Sequence, residues 1–179
     1  MKSYLMYFSL SIITLIFIYL IGGFVIIFAT FLVLFEKCLF GRIAIIPGVE
    51  FTTLATILVA IKYEPITAIL FCVFVGIILP SAINSLIGEK GIANPGFQIF
   101  SIGFGNIVDV ICVLAIYLLR GLDIMWVMLI VLIIKHTLNN LSGKLKELNF
   151  VLDYFGIFMN ILFNLSIVFF FHSFWLSLL

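Results

Sequence analysis

Asp109 is the residue of this chain whose chemistry is hardest to hide. It lies near the middle of FQIFSIGFGNIVDVICVLAIYLL, Phe97–Leu119, a stretch long enough to cross a bilayer. Asn106 stands three residues before it, on the same helical face. Two later apolar segments carry groups that a carboxylate could use. Lys135 and Asn139 are four apart, as are His136 and Asn140. Asp153, Asn160 and Asn164 follow at spacings of seven and four, which makes one helical stripe with Gly156 on the same side. Only the interior of a helix bundle can satisfy such groups together.

Three readings compete. Asn106, Asp109, Lys135, His136, Asn139, Asn160 and Asn164 can line a site that orients a small polar or charged solute by hydrogen bonds. They can instead be contacts between helices, worth ~0.6 kcal/mol each. In the third reading Asp109, Lys135 and His136 relay protons. Asp109 fits least well as a mere contact, because its charge is costly inside a membrane. Lys135 has a further option, snorkelling toward the cytoplasmic surface. His136 taken alone reads as a satisfied histidine at a helix end.

Catalytic signatures are lacking. There is no GxxxxGK[ST] loop for ATP, no HExxH helix for zinc and no GxSxG elbow for acyl transfer. A paired-carboxylate site would have to draw on Asp109 and Asp153, which is a weak signal. The expectation is a protein that is not an enzyme, with no cofactor and no metal.

The elements that position these residues follow from composition. The chain has 179 residues, 65% hydrophobic and 9% charged, where soluble domains carry about 25% charge. Mean hydropathy is +1.42. So little charge cannot cover a water-facing surface, which leaves lipid as the outer solvent. At ~20 residues per crossing, the length allows about six spans and no soluble domain. The expected fold class is therefore an all-α, polytopic membrane helix bundle, one transmembrane domain over 1–179, in the cell membrane. The net charge of +1 argues against a nucleic-acid partner. Cys38, Cys72 and Cys112 have no metal-like spacing and read as small buried hydrophobes. The N-terminal apolar run lacks a small-residue cleavage site and reads as a retained anchor.

Tyr4–Phe35 reads as one long first span of ~48 Å, tilted or protruding. A split at Gly22-Gly23 would make seven spans in all. Val49–Ile61 is a short second span, crossing with help from neighbours or entering only partway. Lys62-Tyr63-Glu64-Pro65 is a tight turn. The third span, Ile66 to about Leu86, contains Pro80, which should kink or end it. Ser81, Asn84 and Ser85 then share one side. Ile87–Gly96 is a loop, Phe97–Leu119 the fourth span, Ile124 to about Leu141 the fifth, and Leu148 to about Phe171 the sixth. Ser142–Glu147 is the most water-like stretch. The 21 phenylalanines read as lipid-facing and interhelix packing, with Trp126 and Trp175 near interfaces. A sharper reading makes them a surface for a partner subunit.

With six spans, Lys2, Lys62 and Arg120 fall on one side and Lys37, Arg42, Lys90, Lys144 and Lys146 on the other. The positive-inside rule then puts the second group in the cytoplasm and the N-terminus outside. Splitting the first run moves Lys2 into the larger group. Both versions place 142–147 inside.

From Arg42 to Asn84 the sequence reads RIAIIPGVEFTTLATILVAIKYEPITAILFCVFVGIILPSAIN. This resembles the front half of the substrate-binding membrane subunits of energy-coupling-factor vitamin transporters and small proteins related to them. In those a proline- or glycine-containing loop leads into a short second span, a Tyr-Gly-Pro turn and a third span rich in small residues. Here the turn is Tyr63-Glu64-Pro65, with Glu64 in place of the glycine, and the third span carries Ala68, Gly76 and Ala82. The family's alanine-x-x-x-alanine docking pattern is absent from Tyr4–Phe35, and its termini are cytoplasmic. The resemblance implies a solute-binding subunit that holds its ligand in the last three spans, has no ATPase of its own, and works with a partner membrane subunit and a separate ATPase. The alternative is a non-catalytic structural or accessory subunit of a larger membrane complex.

Overall fold

The computed structural model describes residues 2–40, 48–87, 104–146 and 151–179, and every regular element among them is helical. The helices are α1 (Lys2–Ile21), α2 (Phe24–Leu34), α3 (Thr52–Lys62), α4 (Pro65–Val73), α5 (Leu79–Ile87), α6 (Phe104–Leu119), α7 (Ile124–Lys146), α8 (Tyr154–Phe170) and α9 (His172–Leu178). Wide π-helical turns continue α2 through Phe35–Phe40 and join α4 to α5 through Phe74–Ile78.

The centre is α3. Every residue from Thr52 to Ala60 is buried, because α2, α4, α6 and α7 all pack against this helix. Its 11 residues span only ~16 Å, about half of a ~30 Å hydrocarbon core. It ends where Tyr63 and Glu64 turn extended ahead of Pro65, which opens α4. The outer faces are apolar, with Phe155, Phe158, Phe169 and Phe170 exposed. Trp126 is exposed too, whereas Trp175 is buried and donates its indole N–H to the Ile167 carbonyl at 3.1 Å. All three cysteines are buried, as their apolar surroundings predict.

The single first helix expected over Tyr4–Phe35 is instead two helices. Gly22 and Gly23 have φ of 66° and 92°, left-handed conformations that end a helix and that side chains resist. Tyr63 holds the break: its hydroxyl donates to the Gly22 carbonyl at 3.1 Å. A Cβ on Gly23 would stand 2.5 Å from that hydroxyl. Beyond the break α2 packs on α3, while α1 packs along α5.

Other boundaries also move. The helix of the expected fifth span, α7, runs on to Lys146, so most of the water-like stretch is helical. The last one starts at Tyr154 and bends by 76° between α8 and α9. At that bend His172 meets Asp123, 2.8 Å away, at the start of α7. The Met125 N–H, and then His172, hold the Asp123 carboxyl below its ordinary range. The Ile87–Gly96 loop beyond its first residue, the opening of the fourth span to Gly103, and the 147–150 link lie outside the described residues, as do Arg42, Pro47 and Lys90. Among the described residues, Pro65–Ser85 and Ile124–Lys146 are long and apolar enough to cross a membrane, and α8 with α9 makes a third if the bent pair is one span.

Pro80 shapes the α4–α5 join. It has no N–H to give the Gly76 carbonyl four residues earlier, and its ring crowds that oxygen. The helix widens there, and the Lys37 ammonium donates to the Gly76 carbonyl at 2.6 Å. Ser81 donates to Ile77 O at 2.7 Å, and Asn84 reaches Lys37 O at 3.4 Å. Lys37→Met should cost about 1–3 kcal/mol, because a partly buried carbonyl loses its donor. In a Pro80→Ala background the new N–H can take over, so the cost should shrink by at least about 1 kcal/mol in a double-mutant cycle of unfolding in detergent. Strictly additive costs would refute this account.

Candidate functional site

The site is built on the N-terminal end of α3, which starts inside the bundle. Its free N–H groups need acceptors. Glu36, from the turn after α2, supplies one: its Oε2 accepts from Phe51 N and Thr52 N at 2.5 Å and from Thr52 Oγ1 at 2.9 Å. Just upstream of the helix is Glu50, whose Oε1 accepts from Thr53 Oγ1 at 2.8 Å.

Lys135 of α7 joins this end to α6. Its Nζ forms a salt bridge with Asp109 Oδ1 at 2.8 Å, another with Glu50 Oε1, and a 3.0 Å contact with Thr53 Oγ1. The lysine side chain is 9% exposed and the carboxylates 17% (Asp109) and 19% (Glu50), so the three charges answer chiefly to one another. Lys135 is halfway along the 23-residue α7, roughly 17 Å from its start. Asp109 is roughly 15 Å from the end of α6. The triad therefore sits roughly 15–17 Å from the turn that joins α6 to α7.

Asn160 of α8 is the second hub. Its Nδ2 donates to Glu50 Oε2 and to the Gly48 carbonyl, both at 3.1 Å. With the amide turned this way, Oδ1 accepts from His136 Nε2 at 3.1 Å, so that nitrogen carries a hydrogen. Asn164 donates to the Asn160 carbonyl at 3.0 Å. Gly48 has φ of 85°, and a Cβ there would stand 2.7 Å from Asn160 N and 2.9 Å from Met159 Cβ. Only glycine permits this approach of backbone to α8.

Of the seven residues picked out by spacing, five come together: Asp109, Lys135, His136, Asn160 and Asn164. Asn106 and Asn139 are half-buried and take no part in the network. Lys135 does not snorkel; two carboxylates hold it inside. Asp153 is exposed at the N-terminus of α8, where Oδ1 accepts from Gly156 N at 2.8 Å, so it is not the second acid beside Asp109. That acid is Glu50, which spacing alone missed, along with Glu36, Gly48 and Thr53. One signal pointed to it: an acid just ahead of an apolar run is the pattern of a helix start.

No protein-family model, no curated protein and no solved structure matches this chain.

Gly48→Ala should push α8 away and weaken both Asn160 contacts. Left-handed strain of ~1–2 kcal/mol adds to overpacking of ~1–3 kcal/mol. Unfolding in detergent should show a loss of at least ~2 kcal/mol, against well under ~1 kcal/mol for Gly121→Ala, where a Cβ meets open space.

Proposed function

We propose that this chain is a multi-pass protein of the cell membrane that binds a small polar solute at the Glu50–Lys135–Asp109 network, as the solute-binding subunit of a transporter and not an enzyme. The observation that carries the reading is the depth of the network. Ionisable groups at mid-membrane are costly, and by default they mark a ligand or ion pathway. Here they gather at the inner end of a half-length helix, the arrangement that transporter sites favour. Asn160 and His136 add hydrogen-bonding groups from two further helices. The resemblance of 42–84 to energy-coupling-factor subunits points the same way, with release driven by a partner membrane subunit and a separate ATPase.

The break at Gly22-Gly23 raises the expected six crossings to seven in this reading. Phe17 stacks on Phe74 at 4.9 Å while α2 runs along α3, so α1 and α2 make a hairpin. By sequence, Lys2 then joins Lys37, Arg42, Lys90, Lys144 and Lys146 against Lys62 and Arg120, and the positive-inside rule makes the start of α1 cytoplasmic. That orientation agrees with the family's cytoplasmic N-terminus, whereas seven crossings put the C-terminus on the opposite side, beside Lys62, where the family's is cytoplasmic.

A second reading rests on how completely the triad satisfies itself: the network would then be interhelix contact in an accessory subunit. The two readings part on neutralisation. Asp109→Asn should abolish retention of a copurified solute, read by mass spectrometry, with expression and folding intact. Replacing the whole triad (Glu50→Gln, Asp109→Asn, Lys135→Met) should leave stability within about 2 kcal/mol, whereas Lys135→Met alone should cost about 3–5 kcal/mol. Solute retained by the Asp109→Asn protein would overturn the binding reading.

A further inference from the structure

One face of α7 leads away from the triad. Lys135, Asn139, Ser142 and Lys146 follow one another at spacings of four, three and four, which lines them up on a single helical stripe about 16 Å long. Contacts at both ends turn this stripe toward α6. Lys135 Nζ meets Asp109 Oδ1 at 2.8 Å, and Lys146 Nζ lies over the Phe104 ring, 5.4 Å from its centre. The turn at 120–123 sets α6 and α7 side by side in opposite directions. Asn106, one turn before Asp109, therefore lies along the same stretch of α7.

Between the two ends the polar groups lack partners. Among the described residues, the side chains of Asn106, Asn139 and Ser142 make no hydrogen bond. Ser142 is only 6% exposed. Ser9, Ser11, Thr14, Thr30 and Ser81 each donate to the carbonyl four residues back in their own helices, and Ser142 does not. A buried hydroxyl beside two half-buried amides needs a partner. Lipid and apolar side chains offer none, and water does. The seam is open to it at both ends: the Asp109 side chain keeps 17% exposure, and Lys144 and Lys146 are exposed. On the far side of α7, Ile133 and Leu141 are exposed and apolar, as a lipid-facing surface requires.

We propose that this seam is a hydrated passage from the Lys144–Lys146 end of α7 to the triad, the route by which a small polar solute reaches Glu50, Lys135 and Asp109. The solute rests on the site reading above, and the passage rests on the seam. Amides and a hydroxyl both donate and accept, so this lining can stand in for the water that a polar solute leaves behind.

The test is thiol modification of the full chain in sealed membrane vesicles by a charged, membrane-impermeant methanethiosulfonate. The reagent attacks the thiolate, which forms where water reaches the sulfur. Wild-type protein, whose own three cysteines are buried, sets the background. Lys144→Cys marks the side on which that end of α7 lies. From that side Asn139→Cys should react at least about ten times faster than Ile133→Cys and Leu141→Cys, which face lipid. Size-exclusion profiles check folding, and Ser142→Cys carries the same comparison if the Asn139 variant does not fold. A rate no faster than that of the lipid-facing positions overturns the proposal. Solute retention by wild-type protein from the same membranes is read by mass spectrometry. Fast modification without retained solute upholds the passage and counts against the solute reading alone. Retained solute without modification overturns the passage alone.

Discussion

One ammonium group, held between two carboxylates from different elements, sets the arrangement of the core. Lys135 brings α7 to α6 through Asp109 and to the start of α3 through Glu50 and Thr53. Buried charge pairs contribute little net stability, because desolvation offsets the attraction. Their effect is to exclude alternatives: any shift that parts these helices strands a charge in apolar surroundings. Asn160 extends the constraint to α8, since its amide serves Glu50 and the Gly48 carbonyl at once.

A second constraint concerns backbone rather than charge. Helix interruptions inside apolar surroundings free N–H and C=O groups that water cannot reach. At three places among the described residues a distant side chain meets the freed groups. Tyr63 takes the Gly22 carbonyl, Lys37 the Gly76 carbonyl, and Glu36 the N–H groups that start α3. Adjacent residues, Glu36 and Lys37, thereby tie the start of α3 to the widened join of α4 and α5. Geometry at the triad and at Pro80 is linked through that dipeptide.

Much of this was legible beforehand in the pattern of residue types. The turn at Tyr63-Glu64-Pro65, the shortness of α3 and the disturbance near Pro80 follow from local sterics, which act over a few residues. The i, i+4 and i, i+7 spacings placed His136 and Asn160 on inward faces for the same reason. Gly22-Gly23 was ambiguous locally. Two glycines tolerate a straight helix or a sharp break, and Tyr63, some 40 residues away, selects the break.

The sequence by itself determined that the chain is helical, that its outside is apolar, and that Asp109 needs company, because hydropathy and helical period are properties of neighbours along the chain. Which residue keeps Asp109 and Lys135 company was decided only by the tertiary structure. Asp153 and Glu50 are both acids beside apolar runs, and nothing local separates them. The first caps its own helix in the open, and the second meets the lysine because α3 begins deep in the bundle. Salt bridges join residues by distance in space, and Glu50 and Lys135 are separated by 85 positions in the chain.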